Sequence, residues 1–559
     1  MNNQTIIDSL SLLAKLMEIH DENPFKTKAY ASAAFTIKQL SFELSSVDKD
    51  KIPAIKGIGS STAKSIIELI DTGEIALLNE LINKTPAGII EMLRIKGLGP
   101  KKIATIWHEL EIESLGELLY ACNENKLTLF KGFGEKTQLS IKESIEYYLA
   151  QSGKLLYAEA EVVVAQIQEA LKNTFPQEIT LVTGSYRRQM ETLDSIEWVT
   201  TIPVENIVAL FNQLEFATSV TAENKVVCTS KTNLIISFVC CNKNNIYTKL
   251  FTSSCSDEFL QQWNTSHSLN DQHHYENEES IFLEAGIPSL PAYLRESADT
   301  LKNANALSLD SIITPADIKG IIHSHSNWSD GKNTVEEMVI AAIEKGYEYL
   351  LLTDHSKSAF YANGLKEDRI AAQQKQIEEL NIKYAPFVIF KGIECDILYD
   401  GTLDYTDDIL ATFDLIVASV HSNLKMDEAK AMTRLLKAIE SPYTSILGHM
   451  TSRLLLSRKG YPVNHPVIID ACAANNVVIE LNAHPRRLDI DWRWIDLALQ
   501  KNVLISIDPD AHSIAGYDDC KFGVLAAQKA ALPKSKNLSS YSLAEMKEFI
   551  KTQHAKRSS

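Results

Sequence analysis

Residues Gly320-Ile321-Ile322-His323-Ser324-His325-Ser326-Asn327-Trp328-Ser329-Asp330-Gly331 open the region whose reading decides the fold. A short apolar strand runs directly into H-x-H, and an acid follows. Successive side chains of an extended segment alternate, so His323 and His325 share one face. The arrangement recurs: Asp354-His355 follows Leu350-Leu351-Leu352-Thr353, Glu394 follows Gly392-Ile393, and His421 follows Ala418-Ser419-Val420. His449 follows Gly448, and Asp510-Ala511-His512 comes just after the branched run 503–507. Strands are expected at 320–322, 349–352, 387–390, 415–419, 445–447, 477–481 and 503–507, with helical stretches between. Seven such βα units predict a closed α/β barrel with its site at the C-terminal strand ends.

Every one of these His, Asp and Glu residues lies at or just beyond a predicted strand end. A single strand-end histidine is more often a hydrogen-bonded structural residue than a ligand. Nine acids and imidazoles in this order, taking six of the 14 histidines, point to a metal centre instead. Nitrogen and oxygen donors without thiolate suit Zn²⁺, Mn²⁺ or Fe²⁺. Arg453 in Thr451-Ser452-Arg453 and Arg487 in His484-Pro485-Arg486-Arg487 are candidate phosphate clamps. Surface ion pairs are the competing reading of both.

Upstream, residues 153–290 read as mixed α+β, with strands at 179–182 and 233–239. Gly184-Ser185-Tyr186-Arg187-Arg188 follows the first strand. A glycine turn, a hydroxyl and two guanidiniums can hold a triphosphate or a DNA phosphate through Ser185 and Arg188; an exposed basic turn is the plainer alternative. Asp194-Ser195-Ile196-Glu197 comes next.

The first 150 residues read as helices. Ile6, Leu10, Leu13 and Leu16 fall at helical spacing, Asn23-Pro24 breaks the pattern, and a second helix is expected over about 26–44. One pattern repeats there: Ile55-Lys56-Gly57-Ile58-Gly59, Ile95-Lys96-Gly97-Leu98-Gly99 and Phe130-Lys131-Gly132-Phe133-Gly134. Glycines allow a tight turn and a close approach of backbone, and the following helix offers free N–H groups. One copy alone would be an ordinary helix–helix turn. Three copies, each with lysine before the first glycine, resemble helix-hairpin-helix motifs. That likeness implies sequence-independent binding of DNA backbone at Gly57, Gly59, Gly97, Gly99, Gly132 and Gly134.

The whole order, from helical start and glycine hairpins through G-S-x-R-R to the barrel, resembles bacterial family X DNA polymerases carrying a C-terminal PHP domain. The resemblance implies a multidomain chain: a helical DNA-binding domain with a helix-hairpin-helix (1–85), a helix-hairpin-helix fingers-like region (86–150), a nucleotidyltransferase-like palm and thumb (151–300), and a PHP phosphoesterase domain, a distorted (βα)7 barrel (316–559). It further implies three divalent metals held by His323, His325, Asp330, His355, Glu394, His421, His449, Asp510 and His512, with Glu394 as a bridge.

The palm departs from that family. Its pattern wants two carboxylates two residues apart on one strand, holding two Mg²⁺. Here Ser195 replaces the first, Glu197 is a longer substitute for the second, and Asp194 is one position off and faces the other side. Strand 233–239, where a third acid belongs, has none, and the family's T-G-S turn reads Thr252-Ser253-Ser254. Mg²⁺ is therefore not expected at the palm, and polymerase activity is expected to be lost or very weak. The reading is a DNA phosphodiesterase, a 3′–5′ exonuclease in DNA repair, with a dNTP or nucleotide as a possible remnant ligand. An active gap-filling polymerase and a small-molecule phosphatase are the alternatives.

Composition bounds this reading. The 559 residues carry 45% hydrophobic and 23% charged side chains, which excludes a disordered chain or a coiled coil. No apolar run reaches about 18 residues, so no membrane span is expected. The start, Met1-Asn2-Asn3-Gln4, has no basic n-region, so no signal peptide is expected. Eight scattered cysteines suit a reducing cytoplasm, and a monomer is expected. The net charge of −17 argues against a nucleic-acid partner at first sight. Most of the excess lies outside the helical region, where 17 basic residues meet 20 acidic ones.

Overall fold

The computed structural model describes the chain apart from residues 41, 151–152, 222–223, 268, 270–272 and 558–559. It divides into two compact units, Met1–Asn123 with Leu127–Tyr148, and Glu124–Lys126 with Leu149–Ser559.

The first unit is helical. Helix α1 (Asn3–Ile19) is capped by Asn2 and buries Ile6, Leu10, Leu13 and Met17. Asn23-Pro24, expected as a break, is the start signal of α2 (Pro24–Lys38): the Asn23 carboxamide accepts from the N–H groups of Phe25 and Lys26, and Pro24 takes the first helical position. Helix α2 ends at Lys38, short of the expected boundary, and Leu44–Ser46 forms a separate 3₁₀ turn. Helices α3 (Ser60–Thr72), α4 (Pro100–His108) and α5 (Glu135–Ala150) each start just after one of the glycine repeats.

The second unit opens with a five-stranded sheet built from β1 (Thr180–Thr183), β2 (Ile196–Thr200), β3 (Ala217–Val220), β4 (Lys225–Thr229) and β5 (Ile235–Cys240). Its order is β1-β2-β5-β4-β3, and only β2 and β5 run parallel. Their register sets Glu197 beside Ser237. The stretch Thr252-Ser253-Ser254, expected as a turn, instead closes helix α6 (Ile246–Ser253).

Seven parallel strands follow: β6 (Gly320–Ile321), β7 (Tyr349–Leu352), β8 (Val388–Asp396), β9 (Leu415–Ser419), β10 (Ile446–Leu447), β11 (Val478–Asn482) and β12 (Ile505–Asp508). They hydrogen-bond strictly in sequence, β6 through β12. The two edges then approach each other: Ser324 bridges Ala511, and the His325 N–H donates to the Ala511 carbonyl at 2.8 Å. The barrel is thus nearly closed. Strands β7, β9 and β11 are buried along their whole length, which explains why they read as largely apolar runs, with Glu480 and Asn482 of β11 buried among them. The polar segment from Lys551 is helical to Lys556 within α7 (Leu543–Lys556).

Candidate metal centre

All nine sequence-selected acids and imidazoles meet at the C-terminal mouth of the barrel. Glu394, on β8, is the hub. Its Oε1 lies 3.3 Å from His323 Nε2, 3.0 Å from His421 Nε2 and 3.0 Å from His449 Nε2. Its Oε2 lies 2.9 Å from His355 Nδ1 and 3.6 Å from His325 Nε2. Asp510 Oδ1 is 3.1 Å from His325 Nε2 and 3.4 Å from His323 Nε2. Asp330 faces His355 Nε2 at 3.5 Å and His512 Nε2 at 3.4 Å. Four overlapping groups have ligand atoms close enough to share one ion: His325, Asp330, His355 and His512; His323, His325, Glu394 and Asp510; His355, Glu394 and His421; and Glu124, Asp510 and His512.

The backbone bends to make this mouth. His323 (φ +59°) and Asp510 (φ +52°) both adopt the left-handed conformation. L-residues avoid it unless the surroundings fix it, and such residues gather at functional sites.

Donor chemistry fits metal ions. His323 Nε2, His325 Nδ1, both ring nitrogens of His355, Asp330 Oδ2, Glu394 Oε2 and His512 Nε2 are buried without a hydrogen bond. Buried polar atoms are normally paired, so this many unpaired lone pairs around one space call for cations. The electrostatics agree. Burial would raise the carboxyls of Glu394 and Asp330, yet neighbouring imidazoles hold both well below the usual range. Burial opposes charge on His323 as well, but Glu480, Asp510 and Glu394 raise it well above the ordinary value. His325 is pushed down to about 4, by burial first and then by His512 and His355.

The two arginines are placed differently. Arg487 is buried with its Nε 4.0 Å from Asp510 Oδ2, at the rim of the cluster. Arg453 is engaged with Glu191, Asp491 and the Arg487 carbonyl, and its guanidinium meets no metal-centre carboxylate in these bonds.

In the palm sheet, Glu197 Oε1 lies 3.1 Å from Lys225 Nζ and 3.2 Å from Ser237 Oγ. An ammonium thus stands beside the remaining carboxylate, and a hydroxyl occupies the neighbouring strand position. Ser195 precedes β2, and Asp194 is exposed and paired with Lys154 at 3.4 Å. Arg187 makes a two-pronged bond to Glu278, and Arg188 Nε donates to Glu296 at 3.0 Å. Ser185 Oγ is 3.5 Å from Arg188 Nη2.

The three glycine turns share one construction. Gly57, Gly97 and Gly132 have φ near +90° or above, which demands glycine. Ile58, Leu98 and Phe133 between the glycines are buried anchors. The second glycines are a different matter. Gly59 (φ −77°) and Gly99 (φ −92°) cap α3 and α4 in conformations open to any residue. A Cβ at Gly59, Gly99 or Gly134 would meet nothing within 4 Å. Neither backbone nor packing in this unit requires these glycines.

Residues 1–75 match a helix-hairpin-helix domain, 89–146 a SAM-like helix-hairpin-helix tandem, and 322–484 the PHP domain. The chain is 32% identical to the DNA polymerase/3′-5′ exonuclease PolX of Bacillus subtilis, over 99% of this chain and all of that one. The chain belongs to the bacterial family X DNA polymerases with a C-terminal PHP domain. Partial likenesses extend to a DNA nucleotidylexotransferase of Ambystoma mexicanum (26%, over 36% of this chain and 37% of that one) and a probable phosphatase of Caldicellulosiruptor bescii (25%, over 34% and 77%). The buried cluster is able to bind metal, as PHP domains do. Among the described residues, no helix is long and apolar enough to cross a membrane.

Three acids near the centre escaped the sequence reading. Asp396 bonds His421 Nδ1, and Glu480 Oε2 accepts from His323 Nδ1 at 2.5 Å. Asp396 lies two residues beyond Glu394 on one strand, so period 2 could have found it. Glu480 sits mid-strand in an apolar run, with no local signal. Glu124, in the segment Glu124–Lys126 of this second unit, has Oε1 3.6 Å from His512 Nδ1 and is paired to Lys126 at 3.0 Å.

Proposed function

We propose that this protein binds DNA through backbone contacts at its glycine hairpins and hydrolyses it at the barrel centre, as a 3′–5′ exonuclease in DNA repair. The convergence of His323, His325, Asp330, His355, His421, His449, Asp510 and His512 around Glu394 carries this reading. Three divalent ions, Zn²⁺, Mn²⁺ or Fe²⁺, are proposed, one for each of the three overlapping groups made only of these nine residues. Bound metals supply an activated water and offset charge on the phosphoryl oxygens and the leaving group. Arg487 is the proposed phosphate clamp, because its guanidinium reaches the rim. Arg453 is proposed as a strut, given its bonds to Glu191 and Asp491.

Polymerase activity is proposed to be lost or very weak. Glu197 is neutralised by Lys225, and Ser195 and Ser237 supply no charge to hold Mg²⁺. Arg188 is committed to Glu296, which disfavours a dNTP at Ser185 and Arg188. The four parts 1–85, 86–150, 151–300 and 316–559 then serve as two hairpin regions, an inert palm and the hydrolase. Eight free cysteines accord with a reducing cytoplasm.

A 3′- or 5′-labelled primer–template incubated with Mn²⁺, with and without dNTPs, tests both claims. Shortening from the 3′ end is expected, abolished by His323→Ala while DNA affinity stays within about twofold. Normal digestion by that variant would remove the metal centre from the reaction. Lengthening with dNTPs would overturn the inert palm. Faster hydrolysis of a phosphate monoester than of the oligomer would favour the phosphatase reading.

A further inference from the structure

The histidines of the metal centre are not held alike. Two have a buried carboxylate behind them. His323 Nδ1 donates to Glu480 Oε2, and His421 Nδ1 donates to Asp396 Oδ1. In both, Nδ1–H is thereby fixed and the Nε2 lone pair is aimed at Glu394. Glu480 is fully buried, and its second oxygen accepts from the His449 N–H at 3.0 Å and from Asn482 Nδ2 at 3.0 Å. Asn482 in turn donates to Asp510 Oδ2 at 3.0 Å. One acid on β11 therefore positions His323, the backbone of His449 and, through Asn482, Asp510. Asp396 does the same for His421 from β8.

The remaining group, His325, Asp330, His355 and His512, has no carboxylate from outside the nine ligands within hydrogen-bond reach: His325 Nε2 meets Asp510 Oδ1 at 3.1 Å and His355 Nδ1 lies 2.9 Å from Glu394 Oε2, and both acids are themselves ligands. His512 Nδ1 donates to the Asp510 carbonyl at 3.0 Å, and Glu124 stands outside hydrogen-bond reach of that nitrogen. The ring nitrogens of His355 and Nδ1 of His325 have no hydrogen-bond partner. A carboxylate behind a ligating imidazole fixes its tautomer and raises its basicity, and its loss costs about 10–100-fold in metal affinity.

We infer that Glu480 and Asp396 are positioning residues that divide the centre into two tightly held metal positions, both sharing Glu394, and one loosely held, exchangeable position at Asp330. The inference rests on the metal-centre reading above and adds an order of loading to it. Charge points the same way. The Asp330 group contributes one carboxylate, and the acid behind it, Glu124, stands 3.6 Å from His512 Nδ1 with its charge shared by Lys126 at 3.0 Å. The group with His323 contributes Glu394 and Asp510 with Glu480 behind, and the group with His421 contributes Glu394 with Asp396 behind.

Calorimetric titration of the chelator-stripped full chain with Mn²⁺ tests this, with electron paramagnetic resonance counting free Mn²⁺. The wild type should bind two ions tightly and a third at least about tenfold more weakly. Glu480→Gln and Asp396→Asn should each weaken one tight ion by about 10–100-fold and leave the weak one unchanged. Circular dichroism of the stripped proteins checks that both variants fold. The acids stand on different strands, so a folding defect in one leaves the other as the test. A single uniform class of ions, or tight binding unchanged in a folded variant, overturns the inference and spares the metal centre. No Mn²⁺ binding by the wild type overturns both.

Discussion

Glu394 and Glu278 show two uses of a buried carboxylate. Glu394 has a buried oxygen without a hydrogen bond, and so do the facing nitrogens of His323 and His355, so it waits on cations. Glu278 is fully satisfied from within. Arg187 and Arg295 both bond it in two-pronged fashion, at 2.6–3.0 Å. Burial would raise its carboxyl, but the two guanidiniums prevail and lower it to about 2, from an ordinary 4.5. The folded value lies below the unfolded one. The stabilisation is therefore fully present above about pH 4.5 and is lost as the pH falls from there toward 2. The shift corresponds to about 3 kcal/mol. Glu278→Gln should cost roughly that at pH 7, because it leaves two arginines without their charge partner. Urea unfolding measures it: the gap between wild type and variant should close from pH 4.5 downward, and a gap independent of pH would remove the ion pairs as its cause. None of this was legible in the sequence. Arg187 was visible as part of a basic turn, but Glu278 lies 91 residues away in a polar stretch with no pattern. The metal ligands were legible because each marks a strand end, a position defined by local sequence alone.

At the scale of elements, the glycine hairpins separate what the fold needs from what a partner needs. Gly97 at φ +90° is required by the turn, and a side chain there costs about 1–2 kcal/mol. Gly99 at φ −92° is not, and it occupies an N-cap, where serine is preferred. Gly99→Ser should leave the unfolding midpoint unchanged or slightly raised, yet weaken duplex DNA binding about tenfold by obstructing close approach, a loss of about 1.4 kcal/mol. Fluorescence anisotropy against thermal melting separates the two effects; equal DNA affinity in the variant would mean that this hairpin holds no phosphate. Repetition made the hairpins readable, since three copies of one turn carry more weight than any one. The Asn23-Pro24 boundary was half readable: proline was seen to stop α1, but Asn23 reveals itself as the cap of α2 only through its bonds to Phe25 and Lys26. In the palm, β1 and β5 were legible from branched residues, whereas the Glu197–Lys225 pair depends on strand order and register that local patterns do not encode.

For the whole molecule, the net charge of −17 is less an obstacle to DNA than it first looks. Asp330, Glu394, Asp510, Glu480 and Asp396 are buried in or behind the cluster able to bind metal, where cations, once bound, would offset them. The helical unit, with 17 basic and 20 acidic residues over 1–150, is close to neutral and offers backbone amides rather than a broad basic face. This makes the salt dependence of DNA binding a quantitative statement about the hairpins. Each phosphate that displaces counterions contributes about −0.9 to the slope of log affinity against log salt. If the lysine of each hairpin, Lys56, Lys96 or Lys131, neutralises the one phosphate that its turn holds, the slope is about −3, well short of what a wide basic groove gives. Gly99→Ser should reduce it by about one, whereas His323→Ala, in the barrel, should leave it unchanged. Anisotropy titrations with a nicked or recessed duplex between 50 and 200 mM salt, on the metal-loaded chain, read all three slopes. A slope that His323→Ala flattens would place phosphate binding at the barrel centre. A slope unaltered by Gly99→Ser would take the hairpins out of DNA recognition, and with them the explanation of how so acidic a chain holds its substrate.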